Sequence, residues 1–482
     1  MAKRKSLALL TALLLAGCTV GPDFRKPAAP AVGSFTEEAL RPAGQELQPA
    51  ADIPADWWTL LQAPALDSLV QQALTNNPDL QSATAALRVA MEGLKAGEGL
   101  EYPTVGLGGN ASRNRNSAAL SPVPASSALF YGLYQTQLSV SWSPDIWGGT
   151  RRQIEALQAQ ADAQRYQLQA VHLMLVSNVA AAAIQEASLR EQISATQEII
   201  ADAQHITAIA QRQQDLGQIA GGDVAAQRVL LAQAQSSLPP LEKQLAIQRD
   251  QLKALIGRLP AESLDEKFHL SDLSLPSALP LSLPSRLAAQ RADIRMAEEN
   301  LHAASAAIGV ATANTLPNLT LSADLGSVAT SLGHVFGPGN EFWNLGAGLA
   351  QPLFDGGTLR HRKKAAEAAY DVAAAQYRSA VIAAFRNVAD TLHTIAADSQ
   401  TEQAATAAEH AAARSLDLAR RQLDLGQVNR GALLLAQQAH QQTSIALIQA
   451  HAARYTDTIA LFAALGGGWW NEQEGKNAEI AQ

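Results

Sequence analysis

The chain has 482 residues, a formal charge of -8, 17% charged and 5% aromatic residues, and one cysteine. That length accommodates more than one ordinary domain, whereas a single thiol excludes a disulfide framework and Cys-based zinc sites. An acidic chain makes nucleic acid a poor partner, because binding phosphates requires clustered cations, and the frequent Ala and Gln favour long, closely packed helices over one thick core.

Residues 1–17 have the order of a secretory signal: Lys3, Arg4 and Lys5, the apolar stretch Leu7 to Ala16, then Gly17. The stretch is too short to span a bilayer. Leu15-Ala16-Gly17-Cys18 resembles the bacterial lipoprotein box, which implies that Cys18 carries diacylglycerol and, after cleavage, an N-acyl chain. Thr19 rather than Asp follows the cysteine, which in that class favours the outer membrane, and two or three acyl chains anchor more stably than one. No other cofactor is expected. Residues 18–55 then form an extended arm, and no later stretch has about 18 uninterrupted apolar residues.

Amphipathic helices are expected over 56–101, followed by a β-hairpin over 102–146. Val105 and Leu107 oppose Thr104, Gly106 and Gly108, while Tyr134, Thr136, Leu138, Val140 and Trp142 oppose a Gln/Ser face, both with period two. A Gly/Ser/Asn/Pro-rich loop is expected over 110–130. After Gly149, as far as Gln214, there is neither glycine nor proline, and such a helix would be roughly 100 Å long. The glycines from Gly217 to Gly222 turn it back, giving a helical hairpin over 147–256. A connection (257–290) leads to a helix (291–315), a second β-hairpin (316–354, loop 326–340), a second helical hairpin (355–466) and a tail (467–482). In the second β-hairpin Leu319, Leu321, Ala323 and Leu325 share one face, as do Trp343, Leu345, Ala347 and Leu349.

The second half is written like the first at a spacing of about 210 residues. Pro144-Asp145-Ile146-Trp147-Gly148-Gly149-Thr150 is echoed by Pro352-Leu353-Phe354-Asp355-Gly356-Gly357-Thr358, and Asp215-Leu216-Gly217-Gln218 by Asp424-Leu425-Gly426-Gln427. Several echoes in one order indicate duplication. The strand alternation also suits an ordinary half-buried sheet. Strands of about ten residues suit a membrane barrel, but four cannot close one, so several chains would have to share it.

The lipoprotein box with Gly21-Pro22-Asp23-Phe24, the Trp57-Trp58 pair, Asn77-Pro78-Asp79-Leu80, the duplicated Gly-Gly-Thr, Leu434-Leu435-Ala436-Gln437 and Ala464-Leu465-Gly466-Gly467-Gly468-Trp469 together resemble the outer-membrane factor family. These are the TolC-type exit ducts of tripartite efflux pumps, and the likeness is to their NodT-like lipoprotein branch. The resemblance implies an α+β membrane protein: a homotrimer with a twelve-stranded transmembrane β-barrel, four strands per chain, continuous with a twelve-helix periplasmic α-barrel. It implies passive passage of drugs or other small solutes from an RND-type inner-membrane pump and a periplasmic adaptor, outer-membrane lipid as surroundings, and no enzymatic reaction.

On that likeness the polar strand face lines water and the apolar face meets lipid. Gly148, Gly149, Gly356 and Gly357 would be strand-to-helix hinges, and Pro144 and Pro352 would end the strands. The periplasmic aperture falls on Asp215, Asp223, Asp424, Asn429, Arg430 and Leu433. Relatives often carry acids where this chain has Asn429-Arg430, so Arg430 either forms a positive ring or pairs locally with Asp424.

No catalytic or phosphate-loop motif occurs in the sequence. Glu298 and Glu299 read as solvated charges, and His361, His393, His440 and His451 as surface or tunnel-wall residues. Two other readings compete: the exit port of a type I protein-secretion system, and a structural coiled-coil lipoprotein, which leaves the four strands unexplained.

Overall fold

A computed structural model describes residues 19–38, 40, 42–115, 117 and 130–471. In chain order the elements are β1 (Glu46–Pro49), α1 (Pro64–Asn76), α2 (Pro78–Glu98), β2 (Thr104–Arg115), β3 (Phe130–Trp142), α3 (Gly149–Asp215) and α4 (Gly221–Leu255). They continue with β4 (Ala278–Leu281), α5 (Pro284–Gln290), α6 (Ala292–Ala313), β5 (Asn318–Ala329), β6 (Glu341–Ala350), α7 (Thr358–Asp424) and α8 (Arg430–Ala464). The chain divides into two compact units, one made of residues 1–26, 87–164 and 297–377, the other of 27–86, 165–296 and 378–482.

In the long helices the duplication is exact in length. Helices α3 and α7 both have 67 residues, and α4 and α8 both have 35. Their starts and ends all differ by 209 positions (149 to 358, 215 to 424, 221 to 430, 255 to 464). Helix α4 runs through Pro239 and Pro240 without a break.

The first unit holds a four-stranded antiparallel sheet in the order β2-β3-β5-β6. Strands β2 and β5 run further than the loops expected at 110–130 and 326–340, to Arg115 and Ala329, because alternation continues through polar residues such as Asn114 opposite Tyr131. The same unit carries the start of the arm. Arg152 donates to Asp23 at 2.6 Å and to the Val20 carbonyl at 3.3 Å, and Phe24 stacks on His302 with centroids 4.4 Å apart. Glu298, expected to be solvated, is buried and pairs with Lys26 at 3.1 Å, while Glu299 faces His302 at 3.4 Å. The docked arm covers what would otherwise be an exposed helix face.

The core of the second unit gathers Trp57, Leu61, Leu66, Leu69, Ile184 and Phe462, all at 1% exposure or less. The Trp57 and Phe462 rings lie 5.3 Å apart. By length and composition α3 is apolar enough to cross a membrane, although no apolar run there is uninterrupted. Val176, Val179, Ala180, Ala183 and Ile184 of that helix are buried in this unit, so the apolar side chains serve helix packing. Asn77 separates α1 from α2: its Oδ1 accepts the N–H groups of Asp79 and Leu80 at 2.9 and 3.0 Å, a side-chain cap that starts the next helix.

Candidate functional site

The sheet register sorts the alternating residues onto two faces. One row reads Leu107, Leu138, Leu325, Trp343 and the next Val105, Val140, Ala323, Leu345, across all four strands. The row between them, on the opposite face, reads Gly106, Ser139, Asp324, Asn344. A half-buried sheet would cover its apolar rows. Here Leu107 is 81% and Trp343 73% exposed, and Val105, Leu325, Leu345 and Leu349 are open as well. An uncovered apolar sheet face of this extent is made for hydrocarbon, and a small-residue and polar opposite face for water.

Two edges stay open. Among the described residues strand β2 bonds only to β3, and β6 only to β5. The outer N–H and C=O groups of both edges have no ladder partner among those residues, and in hydrocarbon each unsatisfied group costs several kcal/mol.

Pro103 and Pro317 sit directly before β2 and β5, and Pro144 and Pro352 two residues after β3 and β6. Missing N–H groups and fixed φ terminate the ladder there. Beyond them Gly148 has φ +75°, Gly356 +68° and Gly357 +87°, whereas Gly149 is already the first residue of α3. By the common offset of 209, Gly148 corresponds to Gly357, and Gly149 to Thr358. The echoed letters are therefore one position out of step with the repeated structure. Asp145 accepts the N–H groups of Thr150 and Arg151 at 3.1 and 2.9 Å, and Asp355 those of Gly357 and Leu359, both at 2.8 Å. The Leu359 N–H and its neighbours hold the Asp355 carboxyl below the usual carboxylate range.

The helical tips lie in the second unit. Both end in the same stop signal: Gly217 N–H donates to the Gln214 carbonyl and Gln218 to Gln213, as Gly426 does to Leu423 and Gln427 to Gln422. With φ +69° and +71° the two glycines complete Schellman motifs. Asp215 and Asp424 are the last residues of their helices, and Asp223 lies in the first turn of α4, where the helix dipole favours an acid. Asn429 caps α8, accepting the Ala432 N–H at 3.0 Å, whereas Ala220 at the matching position offers no side-chain cap.

Arg430 neither pairs with Asp424 nor stands alone. Its guanidinium donates to Gln213 of the other tip, tying the two hairpins together. Leu433 is buried with Leu416, Ala419 and Ala436, so it fills the α7/α8 pair. Gln213 was not singled out by the sequence, since nothing in its neighbourhood distinguishes it from the many other glutamines. His440 and His451 face Glu409 and Glu402 at 3.5 and 3.3 Å, and among the described residues no group of side chains is arranged to hold a metal ion. Cys18 lies outside the described residues.

A four-stranded sheet with an open lipid-compatible face, joined to paired long helices, defines a β-barrel membrane channel with a helical extension. The chain belongs to the outer membrane efflux protein family, whose profile matches residues 69–258 and 283–467. It is 33% identical over 426 residues to the pyoverdine export outer membrane protein OpmQ of Pseudomonas putida, covering 86% of this chain and 88% of that one. To OpmQ of Pseudomonas aeruginosa it is 31% identical over 485 residues, covering 98% of both. The probable outer membrane lipoprotein SilC of Salmonella typhimurium is 27% identical and covers 97% of this chain. The solved structure of the outer-membrane channel OprN superposes with a TM-score of 0.85 at 26% identity, covering 94% of this chain and all of that one. The outer membrane protein VceC of Vibrio cholerae gives 0.80 at 26% identity, covering 86% and 100%. The fold is thus the α+β channel fold, the location the outer membrane, and the function that of an exit channel for tripartite efflux.

Proposed function

We propose that three copies of the chain close one twelve-stranded barrel and form a passive duct for small organic solutes, fed by a periplasmic adaptor and an RND-type inner-membrane pump. The observation that carries this reading is the open sheet: four strands with two free edges and an uncovered apolar face cannot be a finished membrane structure. Twelve strands make a lumen wide enough for solutes, and the Gly/Ser/Asn/Gln face would be its wetted wall. The duct catalyses no reaction. Relatives named for pyoverdine export, solvent efflux and toluene efflux are similar over 97–98% of this chain, which supports a cargo choice made by the pump.

In this reading Cys18 carries the acyl anchor, and the tips around Asp215, Asp223, Asp424, Asn429 and Arg430 form the periplasmic aperture, with the Arg430–Gln213 bond as one of its closing contacts. The test is deletion of the gene and complementation across a panel of drugs, solvents and siderophores. Increased susceptibility or lost export, restored by the wild-type gene, is the expected result; unchanged behaviour across the whole panel would overturn the efflux reading.

A further inference from the structure

The two copies of the strand-to-helix junction differ in charge. Their offset of 209 holds in the strands as well as the helices: Ser141 and Ala350, the partners of the first residues of β2 and β5, are that far apart. On this offset the stretch 145–155 at the start of α3 corresponds to 354–364 at the start of α7. The first carries two acids and two bases, the second one acid, Asp355, against four bases, Arg360, Arg362, Lys363 and Lys364. Position by position, Gln153 corresponds to Arg362, Ile154 to Lys363 and Glu155 to Lys364.

The first junction neutralises its cations. Arg151 pairs with Asp145 at 3.3 Å, and Arg152 with Asp23 of the arm at 2.6 Å and with Glu155 at 2.7 Å. At the second junction none of the four cations forms an ion pair among the described residues, and Arg360, Arg362 and Lys364 are exposed. Asp355 is turned to the backbone instead, accepting the Gly357 and Leu359 N–H groups. The arm that supplies Asp23 to the first junction occurs once per chain. Arg360 lies in the first turn of α7, where the helix dipole disfavours a cation, and Lys364 stands one turn further on, where like charges repel. An external anion relieves both.

We propose that the start of α7 binds the anionic headgroups of phospholipids in the periplasmic leaflet of the outer membrane. Its position fits that occupant. The apolar row of β6 ends at Leu349, 72% exposed, and the turn after it displays Leu353 and Phe354 at 95% and 92% exposure, whereas their counterparts Pro144 and Asp145 are half-buried. Two apolar side chains at the foot of a lipid-facing sheet suit the acyl boundary, and the cations follow within the next ten residues. From Thr358 to Lys364 the helix rises about 9 Å, comparable to the roughly 5–8 Å of one headgroup layer, and lysine and arginine stems extend that reach. Clustered cations beside a membrane-spanning segment attract anionic lipid over about one Debye length. The site does not depend on how many chains close the barrel.

The test is native mass spectrometry of the full chain, purified in detergent and equilibrated with equal amounts of phosphatidylglycerol and phosphatidylcholine bearing the same acyl chains. The wild type should retain phosphatidylglycerol over phosphatidylcholine by roughly tenfold or more. Arg362→Gln, Lys363→Gln and Lys364→Gln together should bring that ratio to within about twofold, in an assembly that keeps its number of chains. Lys364→Glu, which installs the residue of the first copy, should by itself lower the ratio by roughly threefold or more and serves where the triple variant does not assemble. Equal retention of the two lipids by the wild type would overturn the proposal, and so would a preference that survives these substitutions. Displacement of the phosphatidylglycerol by millimolar inorganic phosphate would mark a site for free anions and overturn the lipid assignment. A wild type without preference, together with loss of assembly in the triple variant, would assign the cations to carboxylates of a second copy instead.

Discussion

Glu186 is the clearest place to test how the second unit holds together. It lies on α3 with no solvent exposure, and its Oε1 accepts from Arg190 Nε and Nη2 at 2.9 and 2.6 Å and from Arg249 Nη1 at 2.6 Å. Arg249, on α4, also donates to the carbonyls of Leu264 and Glu266 in the connection between the halves. One carboxylate thus links two helices and a loop. Glu186→Ala would leave two guanidinium groups, each with one fifth of its side chain exposed, facing one another without a counter-charge. Breaking a buried pair in this way costs roughly 3–5 kcal/mol. Glu186→Gln keeps the volume and the accepting oxygen but loses charge assistance, a smaller cost of roughly 1.5–3 kcal/mol. Amide hydrogen exchange of the detergent-solubilised protein reads the local opening. Protection around 264–268 and 183–190 should fall by roughly two to three orders of magnitude in the alanine variant, at about 1.4 kcal/mol per tenfold, and by one to two in the glutamine variant. Protection in Glu186→Ala within threefold of wild type would refute the reasoning.

Burial, and then the neighbouring Asp398 carboxylate, push Asp457 on α8 up to about 7. A raised acid binds more protons folded than unfolded, so stability should fall as pH rises from about 4 to about 7, and Asp457→Asn should flatten that slope in thermal denaturation at stepped pH; an unchanged slope would count against the shift. Gly357→Ala adds a methyl group whose nearest contact is the His361 ring at 3.4 Å, so it should cost only the left-handed backbone strain of about 1–2 kcal/mol. Gly148→Ala brings a Cβ within 2.9 Å of Thr19 Cα as well, so the yield of assembled protein should drop much further in this variant than in Gly357→Ala; equal yields would contradict the close approach. Cys18→Ala should reduce membrane targeting or assembly more than the activity of the protein that does insert, as read by fractionation and radiolabelled fatty acid incorporation; normal acylation of the variant would refute the anchor.

The strands were legible because alternation with period two is a local signal, and the rows built from Leu107, Leu138, Leu325 and Trp343 fall on one face as the sequence implies. The long helices were legible because glycine and proline are absent where they run and present where they turn. Register across the halves was not. The Gly-Gly-Thr letters align the junctions at 208, whereas strand pairing and helix ends set 209, because hydrogen-bond geometry rather than residue identity decides where each helix begins. Glu298 escapes a local reading for a related reason: a helix seen alone exposes it, whereas in the fold it is buried and pairs with the distant Lys26 of the arm. The Arg430–Gln213 contact likewise joins residues 217 positions apart, beyond the reach of any local pattern, and the packing of Leu433 against Leu416 and Ala419 of α7 is visible only once the hairpin is closed.

Reconstitution in planar lipid bilayers tests the central claim most directly. The purified protein, with the inter-tip contact loosened by Arg430→Ala, should insert in single events and give discrete ohmic conductance steps, larger or more frequent than those of the wild type. A correctly assembled, membrane-inserted protein that stays silent in both forms would contradict its being an exit duct.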